Sequence, residues 1–110
     1  MTYMHEETLE ELGLTRNEAK IYLSLLKLGS APVSEIAHLS SLNRANMYNT
    51  INTLIKKGLL TFVIKNNVKY FMAVEPKKLM AYIKEKEDKL QKILPELEKI
   101  EQIPPRIDVE

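Results

Sequence analysis

Residues 33–58 read VSEIAHLSSLNRANMYNTINTLIKKG, and the organisation of the chain follows from how this stretch divides. Ser40-Ser41-Leu42 is a short break between two segments of helical spacing. Before the break, Val33 to Ser40 gives two helical turns with Ile36, Ala37 and Leu39 inward. After it, Asn43 can cap a helix, because its short side chain accepts from a free N–H of the first turn. That helix runs to Lys57, and Gly58 follows as its stop. Two helices joined by a turn of three or four residues make a helix-turn-helix. At 100° per residue, Met47, Ile51, Leu54 and Gly58 share the side that must face a core. Ala45, Asn46, Asn49, Asn52, Thr53 and Lys56 fall opposite, with Arg44 near the exposed start and Tyr48 toward the core edge.

Upstream, residues 3–12 suit a short helix with Leu9 and Leu12 on one side and Gly13 after it. Thr15-Arg16-Asn17-Glu18 is a capping box, Thr15 capping and Glu18 reaching back. The helix it opens carries Ala19, Ile21, Tyr22, Leu23, Leu25, Leu26 and Leu28 before Gly29, apolar on nearly every side, which marks a central buried helix. Ser30-Ala31-Pro32 reads as a connection. Downstream the period changes to two: Leu60, Phe62 and Ile64 alternate up to Asn66-Asn67, and Val68 to Ala73 returns rich in strand formers. Asparagine tolerates positive φ, so Asn66-Asn67 fits a two-residue hairpin turn. Pro76 then opens a long helix at a favoured first-turn position. Along it Leu79, Ile83, Leu90, Ile93, Leu97 and Ile100 keep a four-three spacing, with Lys86 interrupting, which is a coiled-coil seam to be covered by a partner helix, most simply that of a second copy, or by the chain's own domain as an antiparallel arm. Pro95 should kink that helix or loosen the turn before it, and Pro104-Pro105 ends regular structure. The expected fold is mainly α with a two-stranded β wing: a winged helix-turn-helix at 1–75, a coiled-coil dimerisation helix at 76–103 and a loose tail at 104–110.

Charge is divided unevenly along the chain. Residues 1–35 hold three bases and six acids, and residues 75–110 hold eight and nine. Between Glu35 and Glu75 lie 39 residues with no Asp or Glu, carrying Arg44, Lys56, Lys57, Lys65 and Lys69. A surface that binds a polyanion has this signature, since nearby acids would repel phosphates. Other classes of function find little support. Without cysteine there is no disulfide, thiolate nucleophile or Cys-based zinc site. His5 and His38 are far apart, and none of the three glycines sits in a phosphate-cradling loop, so no metal and no cofactor is indicated. No nucleophile–base pair assembles, and an enzyme is not expected. No apolar run has the length of a membrane span and the N-terminus is not a signal peptide, so a soluble cytoplasmic protein is expected.

Leu12-Gly13-Leu14-Thr15, Glu18 to Tyr22, Ala31 to Ala37, Arg44, Tyr48, Leu54 to Leu60 and Tyr70 to Pro76, in this order and spacing, carry a resemblance to the TrmB-type winged-helix transcriptional regulators. It implies a winged helix that binds double-stranded DNA. Larger members carry a C-terminal sugar-binding domain with no counterpart in these 110 residues, so a stand-alone DNA-binding and dimerisation unit is expected, with no small-molecule effector indicated.

In a helix-turn-helix the start of the second helix meets base edges in the major groove. Asn43, Asn46, Asn49 and Asn52 are poor helix formers in succession unless they are used, and asparagine pairs bidentately with adenine as Arg44 would with guanine. The expected DNA contacts are Ser34, Asn43, Arg44, Ala45, Asn46, Tyr48, Asn49, Thr53 and Lys56, with Lys65, Asn66, Asn67 and Lys69 at the wing tip. The plain alternatives are a solvated polar face, with Asn43 and Ser34 as caps and Lys56 and Lys57 drawn to the helix dipole. At the level of function the alternatives are a protein-interaction module and a sequence-indifferent chromatin protein.

Overall fold

In the computed structural model, which describes residues 2–101, the chain forms α1 (Thr2–Glu11), α2 (Arg16–Leu28), β1 (Ser30–Ala31), α3 (Val33–Ser40), α4 (Arg44–Lys56), β2 (Leu60–Lys65), β3 (Val68–Ala73) and α5 (Lys78–Ile100). The tail expected at 104–110 lies outside the described residues. Helices α1 to α4 pack around α2, whose Ala19, Ile21, Tyr22 and Leu25 are buried. Its capping box forms as expected: Glu18 N–H donates to Thr15 Oγ1 at 3.1 Å and Thr15 N–H donates to Glu18 Oε1 at 2.9 Å. Leu26 and Leu28 remain exposed, so α2 is central without being buried all round.

Helices α3 and α4 make the helix-turn-helix. Ser41 turns the chain in the left-handed region at φ 62°, and Asn43 caps α4 by accepting from Ala45 N–H at 2.8 Å. Ile36 is buried as expected, while Leu39 is 42% exposed because the buried side of α3 runs through Val33, Ile36 and Ser40 and Leu39 falls off it. Met47, Ile51 and Leu54 are buried as the wheel expects, whereas Gly58, placed on the same side, is exposed because α4 ends at Lys56 before reaching it. The end of α4 is a Schellman motif: Leu59 N–H donates to Leu54 O at 3.0 Å, and Gly58 N–H to Ile55 O at 2.9 Å. Gly58 holds φ 79°, where a side chain would be strained.

The hairpin turns on Asn66 (φ 50°) and Asn67 (φ 65°), both positive as a type I′ turn needs. The sheet has three strands rather than two, in the order β1-β3-β2 and antiparallel throughout. Ser30 and Ala31 pair with Met72 and Phe71, so the expected connection is an edge strand. Two residues cannot display a period, and only the neighbouring β3 makes them a strand. Tyr22 Oη donates to Val74 O at 2.9 Å and fastens the end of the wing to α2.

Pro76 lies in a turn two residues before α5 rather than inside its first turn: Lys78 N–H donates to Glu75 O, and Leu79 N–H to Pro76 O. The helix then continues through Pro95 to Ile100. Proline removes the one bond that residue 95 would make to the Gln91 carbonyl, and the helix tolerates that loss. Twenty-three residues span about 34 Å, and the molecule measures 62 × 27 × 26 Å. The first turns of α5 pack on the domain, with Tyr82 buried and Leu79 and Ile83 partly buried against the core. Every residue from Lys84 to Glu101 is exposed. Leu79 and Ile83 are therefore drawn into the domain's own core, so the start of the seam packs on its own domain and only its outer half stands free.

Candidate nucleic-acid interface

The polar face of α4 is open. Arg44, Ala45, Asn46, Asn49, Asn52, Thr53 and Lys56 are all exposed. Beside this face runs a cleft of about 530 Å³ lined by Pro32, Val33, Ser34, Arg44, Tyr48, Asn67, Val68, Lys69 and Phe71. Ser34, Arg44, Tyr48, Asn67 and Lys69, each expected at the interface, thus come together from three elements around one hollow with no acidic residue in its wall. Tyr48 is 51% exposed, more open than its position on the wheel suggested, because it points into the cleft instead of closing over the core edge. Pro32, not Ser34, is the N-cap of α3, which frees the Ser34 hydroxyl from a capping role.

Not every expected contact is equally free. The carbonyl oxygen of Asn43 is held by Ala45 N–H, which leaves its amide nitrogen for other partners. The Thr53 hydroxyl donates to Glu18 Oε2 at 2.7 Å and lies 2.8 Å from Thr50 O, so it is engaged within the protein. Lys57 turns away from the open face: its Nζ donates to Glu18 Oε1 at 2.7 Å and to Gly13 O at 3.4 Å. Glu18 is 2% exposed. Burial pushes its pKa up, but hydrogen bonds from Lys57, Thr53 and Thr15, with the charge of Lys57, outweigh that and hold the carboxyl below its ordinary value. One buried carboxylate thus caps α2 and ties down the C-terminal end of α4. The sequence displayed the capping role. It carried no signal for the second, whose partners lie 35 and 39 residues away.

The wing lysines part company. Directly paired residues share a face, so Phe62, Ile64, Lys69 and Phe71 lie on one side of the hairpin. Val63, Lys65, Val68 and Tyr70 lie on the other. Lys69 is on the cleft side, its Nζ 4.6 Å from the centre of the Phe62 ring. Lys65 leans toward Tyr70 on the far side, 5.9 Å from that ring. Asn66 and Asn67 form the tip between them. Phe62 and Ile64 are exposed although they continue the alternation begun by buried Leu60, because the hairpin projects past the core.

This arrangement of helix-turn-helix, wing and long helix has counterparts. The family model described as sugar-specific transcriptional regulator TrmB matches residues 9–77. The chain belongs to the TrmB family. The chain is 28% identical over 85 residues to the HTH-type sugar sensing transcriptional regulator TrmBL1 of Pyrococcus furiosus, a match covering 74% of this chain and 25% of TrmBL1. It therefore spans about a quarter of the length of that relative. Its fold is similar to that of TrmBL2, an archaeal chromatin protein whose structure shows a novel mode of DNA binding (TM-score 0.82, 22% identity, 91% of this chain and 38% of that one). A possible transcriptional regulator from Methanosarcina mazei Go1 shares the fold over more of its own length (TM-score 0.67, 15% identity, 83% and 82%). So does a MarR family regulator from Silicibacter pomeroyi (TM-score 0.59, 18% identity, 90% and 62%). Among the described residues no helix is long and apolar enough to cross a membrane.

Proposed function

We propose that this TrmB-family chain is a sequence-specific regulator that binds double-stranded DNA as a homodimer. Helix α4 enters the major groove, and the wing meets the backbone or the minor groove. The observation that carries the reading is the acid-free cleft in which Ser34, Arg44, Tyr48, Asn67 and Lys69 converge beside the open asparagine face of α4. Arg44 and the amides of Asn46, Asn49 and Asn52 offer bidentate partners to base edges. Ser34, Tyr48 and Lys69 supply donors for phosphates on the flank, contacts that position a protein without reading sequence. Thr53 is left out of the contact set because its hydroxyl is engaged.

The dimer rests on α5. Its outer half exposes Leu90, Ile93, Leu94, Leu97 and Ile100 along one stripe, and the same helix of a second copy covers such a stripe most simply. Leu94 joins the seam expected from sequence, whereas Leu79 and Ile83 serve the core before any partner. Two copies address half-sites about one helical turn, roughly 34 Å, apart. A regulator of this kind works in the cytoplasm, on DNA and without enzymatic activity.

TrmBL2 is named a chromatin protein, and sequence-indifferent binding is the reading it suggests for a shared fold. The bases on this interface are few for that role, since non-specific affinity depends almost wholly on phosphate neutralisation. Fluorescence anisotropy on a duplex from upstream of the protein's own gene, against a scrambled duplex and across salt, separates the readings. Preference for the native duplex with a steep salt slope is expected. Equal, salt-sensitive binding on native, scrambled and selected genomic fragments would favour the chromatin role, and no binding at low salt would remove DNA altogether.

A further inference from the structure

We infer that the junction between the end of α4 and α5 is a second anion site, separate from the cleft, that binds a phosphate group. Lys56, Lys57, Tyr82, Glu85, Lys86 and Lys89 line one cavity there, of about 260 Å³. It shares no lining residue with the cleft beside α4. Two of its lysines are already occupied: Lys57 on Glu18 at 2.7 Å, and Lys89 loosely on Glu85 at 4.0 Å. Among the described residues neither Lys56 nor Lys86 has a carboxylate partner. The excess of positive charge is therefore local and unbalanced.

Ordinary explanations cover only part of it. A helix C-terminus attracts lysine, which accounts for Lys56 and Lys57. Lys86 and Lys89 come from the middle of another helix, where no dipole favours them. On α5, Lys84 is matched along the helix by Glu87 and Asp88 and Lys89 loosely by Glu85, whereas Lys86 between them has no carboxylate partner among the described residues. Lys86 also breaks the apolar seam of α5, lies 4.9 Å from the centre of the Tyr82 ring and borders Gly13. Beneath it the Tyr82 hydroxyl is buried without a hydrogen-bond partner among the described residues, a donor that an anion held by Lys86 would satisfy after a small movement of that side chain. Ammonium groups arriving from several directions, without an arginine fork, suit a tetrahedral anion with several oxygens better than a planar carboxylate. Because Lys57 also holds Glu18, an occupant that draws on Lys57 alters how the end of the recognition helix is fastened.

The phosphate has two possible sources: the backbone of bound DNA, or a free phosphate-bearing small molecule. The test follows the backbone amides of the whole chain by NMR during titration with inorganic phosphate and with pyrophosphate at constant ionic strength, chloride serving as the control. The same protein is measured for the salt slope of DNA binding, and both measurements are repeated with Lys86→Gln/Lys89→Gln. Saturable shifts at Lys57, Tyr82 and Lys86, weakened about tenfold or more in the double variant, assign the site to a free anion. No saturation, together with a DNA salt slope lowered by about two units, assigns it to DNA phosphates. Shifts that do not saturate, with an unchanged slope, overturn the inference. Lys89→Gln alone, on a side chain 75% exposed, keeps the test open should the double variant misfold. The free-anion arm needs no DNA, so failure of the regulator reading leaves that arm to decide by itself.

Discussion

Replacing Glu18 with alanine should cost far more than a substitution at a capping position normally does. The carboxylate accepts from Thr15 N–H at 2.9 Å, Lys57 Nζ at 2.7 Å and the Thr53 hydroxyl at 2.7 Å. Half of the capping box goes, worth about 0.5–1 kcal/mol. The bond to Lys57 is charge-assisted, and such bonds contribute about 1.5–3 kcal/mol. Lys57 is 28% exposed and can turn to water, which places this loss at the lower end. Thr53 keeps Thr50 O within reach and adds little. The sum is roughly 2–4 kcal/mol, a fall in Tm of roughly 10–25 °C for a domain of this size. Glu18→Gln keeps the shape and one acceptor and should lose about half as much.

The same carboxylate predicts a pH dependence. Its folded pKa is held below the ordinary value, so the stability it contributes is present above the unfolded pKa and disappears as pH falls through the folded one. The gap in Tm between wild type and Glu18→Ala should therefore be full at neutral pH and close in acid. Thermal melts followed by circular dichroism from neutral pH into the acid range measure both quantities. Equal melting at neutral pH, or a gap that persists unchanged into acid, would refute the assignment of Glu18 as the tie between α2 and α4.

Arg44→Ala should weaken binding to the specific duplex by about 1–3 kcal/mol while leaving random DNA nearly unaffected; equal losses on both would make Arg44 a phosphate contact. Lys69→Ala should lower the salt slope of DNA binding by about one unit, whereas Lys65→Ala, on the far face of the hairpin, should leave it unchanged; the reverse order would show that DNA meets the other face of the wing. Leu90→Glu with Leu97→Glu should give a folded monomer in sedimentation, and a surviving dimer would place the interface away from the outer half of α5. Tyr82→Phe removes a buried hydroxyl that has no partner among the described residues, a group that costs about 1–3 kcal/mol when left unsatisfied, so its Tm should not fall in phosphate-free buffer; a clear drop would reveal a partner for that hydroxyl.

Much of the fold was legible because its signals are local. The capping box at Thr15 and Glu18, the Asn43 cap, Gly58 at positive φ and the Asn66-Asn67 turn each depend on residues a few positions apart. The burial of Met47, Ile51 and Leu54 followed from helical spacing alone. Strand β1 was not legible, since two residues have no pattern until β3 lies beside them. Phe62 followed the right period yet stayed exposed, because period identifies a face and not whether anything covers it. Leu79 and Ile83 fit the spacing of a partner seam, and only tertiary packing turned them to the core.

The candidate interface divides in the same way. The acid-free window, the helix-turn-helix and the polar face of α4 are all written in the chain, because charge spacing and helical period are local properties of it. It takes packing to bring Ser34, Arg44, Tyr48, Asn67 and Lys69 to one cleft, to put Lys65 on the opposite face and to hold Thr53 on Glu18. Those outcomes depend on distances between residues remote in sequence, which packing sets and no local pattern encodes.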